Sequence, residues 1–258
     1  MDTKATTLED AVRLVRAGAT VGIGGSITTR KPVALVQSIA DSGVGDLHVV
    51  SFTGSLGIDL LVGAGAVRTV SSAYVGLGHF GRAPHFVAAA ESAAIEDREY
   101  SEWLLLQRIR AAAMGVAFIP TRAAMASELL ELHSFRHVTD PYSGDELIAL
   151  PPLHLDVALI HAWRASNDGY VQFADPPDHL WDIDVAMAKA AATVIVSVDE
   201  IVPAQVLRER ADLTKLFPVN VDAVVELPGG SWPTASRPGY EADAAALQAY
   251  AAAGVLTR

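Results

Sequence analysis

Cysteine is absent from the 258 residues. That absence removes disulfides, thiolate nucleophiles and cysteine-based zinc sites together. Long apolar runs are missing too. No stretch approaches the ~20 apolar residues of a membrane-spanning helix, and Met1 runs into TTLEDAVRLVRAG without the apolar core of a secretory signal. The expected setting is the cytoplasm. Positive charge is scarce, with 19 Lys and Arg against 30 Asp and Glu for a net charge of −11. This balance argues against nucleic acid or an anionic membrane as partner. An anionic small molecule is still compatible, because a few local arginines and helix N-termini suffice to hold one.

What the chain has in quantity is apolar content. Hydrophobic residues make up 51% and the mean hydropathy is +0.29. That is enough for a sizeable core, with an apolar face left over for a partner. The length suits one large α/β unit. No linker, repeat or charge block divides it, so a single domain over 1–258 is expected.

Periodicity predicts an amphipathic helix from Thr7 to Gly18, a strand at Thr20–Ile23 and a helix at Pro32–Ser42. A strand at Leu47–Phe52, a helix at Ile58–Ala64 and a strand at Val67–Tyr74 follow, then helices at Pro84–Ala94 and Ser101–Met114. Thr121–Pro141 is irregular and reads as a long functional or interface loop. Glu146–Leu150, Val157–His161, Thr193–Val198 and Val221–Leu227 have strand composition. Asn167-Asp168-Gly169 signals a hairpin before Tyr170–Phe173. Helices are expected at Ile183–Ala192 and Glu241–Ala252. Strands alternating with helices imply an α/β fold with a mainly parallel central sheet flanked by helices.

Four local patterns bear on chemistry. Gly24-Gly25 closes the first strand just before a helix, an arrangement that offers bare backbone N–H groups to an oxyanion or phosphate. By itself it fits a tight strand-to-helix turn with no ligand equally well. Gly76–Gly81 matches G-x-G-x-x-G, and Asp97 follows about 20 residues on, as in a dinucleotide fingerprint. A helix opening inside those glycines would contain Pro84 and lose a hydrogen bond. The run therefore reads as a loop with Pro84 in the first turn of the next helix. Ser55 in TGSLG approximates a nucleophile elbow, but Thr53 stands in the first glycine position. His133 and His137 are four apart, yet without a Glu-x-x-His pattern they read as loop residues and not as metal ligands.

The string GATVGIGGSITTRKP, with Gly24, Gly25 and Pro32 in register, resembles the α-subunit signature of the class I coenzyme A transferases. Ser26 replaces that signature's aromatic residue and Arg30 its glycine, departures that point to the glutaconate-transferase branch. The loop YVGLGHFGRAPHF, the NDGYVQ turn, AMAKAAATVIVSVDEIV and the closing VNVDAVVELPGGSWPTASRPGY are similar to the same branch, so the resemblance spans about 5–250. It implies the fold shared by coenzyme A transferases and NagB/RpiA-like proteins. It also implies an acyl-CoA cleft bordered by Gly24, Gly25, Ser26 and Ser55, with coenzyme A as substrate and no resident cofactor.

REYSEWLLLQRIR resembles, more closely, the α chains of the cholesterol ring-opening CoA hydrolases, whose second glutamate in this string is the catalytic acid/base. The matching position is Glu102. Read from the residues alone, Glu102 is a carboxylate in the first turn of a helix capped by Ser101, a favourable surface arrangement. Arg122 either positions a carboxylate or the phosphates of CoA, or makes a helix-end salt bridge. The class I nucleophile is a glutamate in a Ser-Glu-Asn-Gly string, which this chain lacks. The resemblance therefore implies an α chain completed by a separate β subunit, in a hetero-oligomer. Three functions remain open at this point. They are CoA transfer between carboxylic acids, carbon–carbon hydrolysis of a cyclic acyl-CoA with Glu102 as general base, and a non-catalytic structural or binding half.

Overall fold

The computed structural model describes residues 3–257. Helix α1 (Leu8–Val12) starts at Thr7, whose hydroxyl accepts a hydrogen bond from the Asp10 N–H at 3.1 Å. It ends well before Gly18, shorter than the sequence pattern suggests. An alternating series follows: β1 (Thr20–Ile23), α2 (Val33–Asp41), β2 (Leu47–Ser51), α3 (Leu56–Gly63), β3 (Val67–Ser72), α4 (Pro84–Glu91), β4 (Glu96–Glu99) and α5 (Glu102–Met114). Next come β5 (Ile119–Thr121), α6 (Glu128–Leu132), β6 (Arg136–Thr139) and β7 (Glu146–Leu150). The chain then forms β8 (Leu155–Ala165), β9 (Val171–Gln172), α7 (Trp181–Ala190), β10 (Ala191–Ile201), α8 (Ala204–Arg208), β11 (Thr214–Leu216), β12 (Ala223–Glu226) and α9 (Ala244–Ala253).

The main sheet has nine strands. Neighbours run parallel in the order β12-β10-β8-β1-β2-β3-β4. Strand β8 outruns β1, and the hairpin strand β9 pairs antiparallel with its far end at Arg164↔Gln172, with β11 beyond. This is the α/β fold with a mainly parallel sheet that the sequence predicts. Both faces of the centre are covered, which is why β8 carries the unbroken apolar run Val157–Ile160. Val157 and Leu159 pack with Val21, Val49 and Ile195 against α2 and α3. Ala158 and Ile160 face the other way, toward Phe173, Val196 and Val224. A further cluster joins α5 and α7 through Leu105, Ile109, Ile183 and Met187.

One element was missed and one expectation is corrected. The acidic string Glu96–Glu99 is an edge strand on β3, held by backbone pairing with no apolar face to announce it. The stretch Thr121–Pro141 is no long loop. It contains α6 and β6, and β6 lies antiparallel on β7 in a small three-stranded sheet with β5. Pro84 occupies the first turn of α4 after a 3-10 turn at Gly78–Phe80, so the glycine run is the loop expected. Among the described residues no helix is long and apolar enough to cross a membrane.

Leu159 is fully buried at the centre of this packing. Leu159→Ala is expected to lower the unfolding free energy by about 2–5 kcal/mol in urea titration. A loss within experimental error would contradict the assignment of β8 as the core strand.

Candidate functional site

In a parallel α/β sheet the loops at the carboxyl ends of the strands border the ligand crevice. After β1, the N–H groups of the glycine turn are already engaged. Gly24 donates to Leu159 O at 2.9 Å, Gly25 to Asp184 Oδ1 at 2.8 Å and Ser26 to Thr29 O at 2.9 Å. The expectation of bare donors at Gly24 and Gly25 is therefore corrected. Gly25 has φ +79°, and a Cβ there would lie 2.4 Å from Arg30 O. The glycine lets the loop close on itself. Ser26 is half-buried in the same turn.

Two basic side chains, Arg30 and Lys31, lie under this loop, both buried. Arg30, 1% exposed, adopts φ 54°, so it holds a left-handed conformation at the position where the resembling signature has glycine. Its Nη2 lies 2.9 Å from Asp184 Oδ2 and its Nη1 3.4 Å from Asp178 Oδ2. The guanidinium also stands over the Phe173 ring at 5.3 Å. Arg237 reaches the other oxygen of Asp178 at 3.3 Å. Lys31 Nζ donates to Gly24 O at 3.0 Å and Gly25 O at 2.9 Å, with Ser51 Oγ at 3.4 Å. Sequence reasoning missed this cluster. The basic pair between Thr28-Thr29 and Pro32 is the only local signal, and it names no partner.

The segment 228–240 lies along the same loop. Arg30 N donates to Ala235 O at 2.7 Å, and Ala235 N to Thr28 O at 2.8 Å. Beneath it, His161 contacts Ser197 Oγ at 2.9 Å through Nδ1 and Ser236 Oγ at 3.2 Å through Nε2. Ser236 donates to Asp199 Oδ2 at 2.5 Å. The composition is that of a hydrolytic triad, but His161 and Ser236 are buried and the hydroxyl proton goes to the carboxylate. In a triad it would go to the imidazole. This is a structural staple.

Ser55, expected at the border of the cleft, is fully buried and spends its hydroxyl on Ile27 O at 2.6 Å. The hydroxyl thereby ties α3 to the β1 loop. Glu102 is the first residue of α5, where Ser101 caps the helix by accepting from Leu104 N at 3.3 Å. The Glu102 carboxylate is exposed and, among the described residues, makes no hydrogen bond or ion pair. Arg122 is exposed and pairs with Asp145. Trp103 Nε1 donates to Thr121 Oγ1 at 3.3 Å, so the neighbours of Glu102 and Arg122 are joined. The structure thus places Gly24, Gly25, Ser26 and Ser55 around the β1 loop, Glu102 at the start of α5 and Arg122 just after β5. The two histidines singled out by their spacing have separate partners. His133 follows α6 and bonds Glu99 O at 2.6 Å, while His137 on β6 pairs with Glu146.

Burial lowers the Lys31 amine from 10.5 to about 7, with Asp184 opposing the fall and Arg30 adding to it. Between those values the unfolded chain binds a proton that the fold has shed, so Lys31 makes stability rise with pH across this window. The slope it contributes is at most about 1.4 kcal/mol per pH unit. The difference in unfolding free energy between wild type and Lys31→Met should therefore grow in favour of wild type from pH 7 to 10. A pH-independent difference would contradict the buried, weakly basic amine.

The model of the family described as coenzyme A transferase matches residues 5–227. The chain is 36% identical to the cholesterol ring-cleaving hydrolase IpdA subunit of Mycobacterium tuberculosis, over 98% of this chain and 89% of that one. It superposes on glutaconate coenzyme A-transferase from Acidaminococcus fermentans with a TM-score of 0.90 at 28% identity, covering 97% and 84% of the two chains. With the decarboxylase AibA/AibB the TM-score is 0.88 at 31% identity, covering 98% and 94%. Three reactions are thus named on one architecture. Signature, sheet order and these likenesses agree, and the chain belongs to the coenzyme A transferase family, on the side of its α chains.

Proposed function

We propose that this chain is the α subunit of a two-chain enzyme acting on acyl-CoA thioesters, and that Glu102 is its general base in hydrolysis of a carbon–carbon bond. The observation that carries this reading is the Glu102 carboxylate, exposed and unpaired among the described residues at the capped start of α5. The β1 loop, whose Gly24, Gly25 and Ser26 N–H groups are engaged, serves as scaffold. In a cyclic β-keto acyl-CoA, Glu102 takes a proton from water as the oxygen attacks the ring ketone. The bond between that carbonyl carbon and the α-carbon then breaks. Its electron pair passes to the α-carbon as a thioester enolate, which takes back the proton held by Glu102, and the former ketone carbon becomes a carboxylic acid still joined to the thioester through the opened ring. The 36% identity to the IpdA subunit of a ring-cleaving hydrolase supports the same assignment.

A second reading is CoA transfer, favoured by the close superposition on glutaconate coenzyme A-transferase. There a glutamate carboxylate of the β chain attacks the thioester and carries CoA as a glutamyl thioester, and Glu102 is dispensable. The β chain itself is inferred from relatives named as subunits or as paired chains.

Glu102→Gln in the reconstituted two-chain enzyme should reduce kcat by about 10²–10⁴-fold, the usual contribution of a general base. Full activity in that variant, with a hydroxylamine-sensitive glutamyl adduct in the β chain, would overturn hydrolysis in favour of transfer.

A further inference from the structure

We infer that the cavity beside α5 binds an apolar carboxylate, with the carboxylate held by Arg108 and Arg136 and the hydrocarbon body against the aromatic lining. The cavity, about 600 Å³, opens between the edge strand β4, helix α5 and the small sheet of β5, β6 and β7. That volume falls within the range of small-molecule sites.

Charge carries the argument. Of the three arginines that line the cavity, Arg98 is neutralised by Glu96 through both carboxylate oxygens, at 2.8 and 3.0 Å. Arg108 is half-buried, and its Nε donates to Pro151 O at 3.1 Å and its Nη1 to the Tyr100 hydroxyl. Both partners are neutral, and among the described residues no carboxylate pairs with it. Arg136, on the facing strand β6, has no ion pair or hydrogen bond through its side chain among the described residues. Two guanidiniums thus share one cavity without a counter-ion, on a chain whose net charge is −11. Burial lowers the Arg108 pKa, Tyr100 opposes that fall and Arg98 adds to it. Burial and the same two arginines outweigh the Glu99 carbonyl in lowering His133. Positive potential is concentrated here, and an anion relieves it.

The rest of the lining selects the kind of anion. Tyr100 and His133 stack at 4.0 Å with planes 12° apart, and Phe135 lies 5.3 Å from the imidazole. The Arg108 guanidinium stands 5.3 Å from the Tyr100 ring and 5.8 Å from that of Phe135. Phe118 and Leu132 add exposed hydrocarbon, 42% and 65% accessible. A planar guanidinium fork matches a carboxylate bidentately, and the apolar walls suit a body that gains by leaving water. A multiply charged phosphate would meet those walls with its charge unsatisfied. The carboxylate can belong to a free acid or to the distal end of an acyl thioester.

The test is calorimetric titration of the full chain with cyclohexanecarboxylate, cyclohexanecarboxamide and inorganic phosphate, followed by the CoA thioester of a dicarboxylic acid. The acid should bind saturably. The uncharged amide, and phosphate, should bind at least about tenfold more weakly, the size expected for a lost charge-assisted contact. Arg136→Ala, a surface change whose fold is checked by circular dichroism, should raise the Kd for the acid about tenfold or more. Arg108→Lys, which keeps the charge and loses the fork, should raise it too. Competition by the thioester would identify an acyl group as the source, and its failure to compete a free acid. Equal affinity for acid and amide, phosphate binding as tightly, or a Kd unchanged in both variants would overturn the inference.

Discussion

The constraint on which the rest depends is the pairing of Arg30 with Asp184 in the interior. Removing two opposite charges from water costs several kcal/mol per ion, and the pair is tolerable only when geometry and further hydrogen bonds compensate. Here Asp184 gives one oxygen to Arg30 at 2.9 Å and the other to the Gly25 N–H at 2.8 Å. One carboxylate on α7 thereby fixes both ends of the loop that leaves β1. Asp178 extends the network to Arg237, and Ala235 binds the same loop from the C-terminal segment. Three distant stretches of chain are held at the carboxyl ends of the parallel strands. The consequence for chemistry is direct: the glycine turn is a scaffold whose Gly24, Gly25 and Ser26 donors are spent. The unpaired Glu102 carboxylate stands outside that network.

The parts of this design that are local are legible in the sequence. Strands β1 and β7 have the bounds that the sequence predicts, because a short apolar run between turn residues has few alternatives. Helix α5 is legible through Ser101, a residue type that stops the preceding extended chain and caps the next turn. Pro84 resolves the decoy at Gly76–Gly81. What periodicity cannot reveal is an element stabilised only by its neighbours. Strand β4 is acidic, yet backbone pairing with β3 makes it a strand. The charge clamp is equally hidden, since Arg30 and Asp184 lie 154 residues apart and nothing near either names the other. Ser55 shows the converse, a hydroxyl in a suggestive turn whose internal partner, Ile27 O, the local sequence does not name. For Glu102 the helix start is legible from the residues, and the catalytic role comes from resemblance to a family.

Membership in the coenzyme A transferase family fixes the architecture more tightly than the reaction. Relatives with nearly the same fold are named as a transferase, a ring-cleaving hydrolase and a decarboxylase, which follows if the sheet supplies positioning and a few residues at its rim supply chemistry. In this chain the candidate residue is a glutamate at the first position of a helix. Its carboxylate benefits from the positive end of the helix dipole while staying open to solvent. A nucleophile that forms a covalent adduct is not required of this chain.

The central claim, that water is the nucleophile, is tested most directly by running the two-chain enzyme on a cyclic β-keto acyl-CoA in ¹⁸O-labelled water. The account predicts one labelled oxygen in the newly formed carboxylate, with the thioester intact. Unlabelled product, or CoA appearing on an added carboxylic acid, would contradict it.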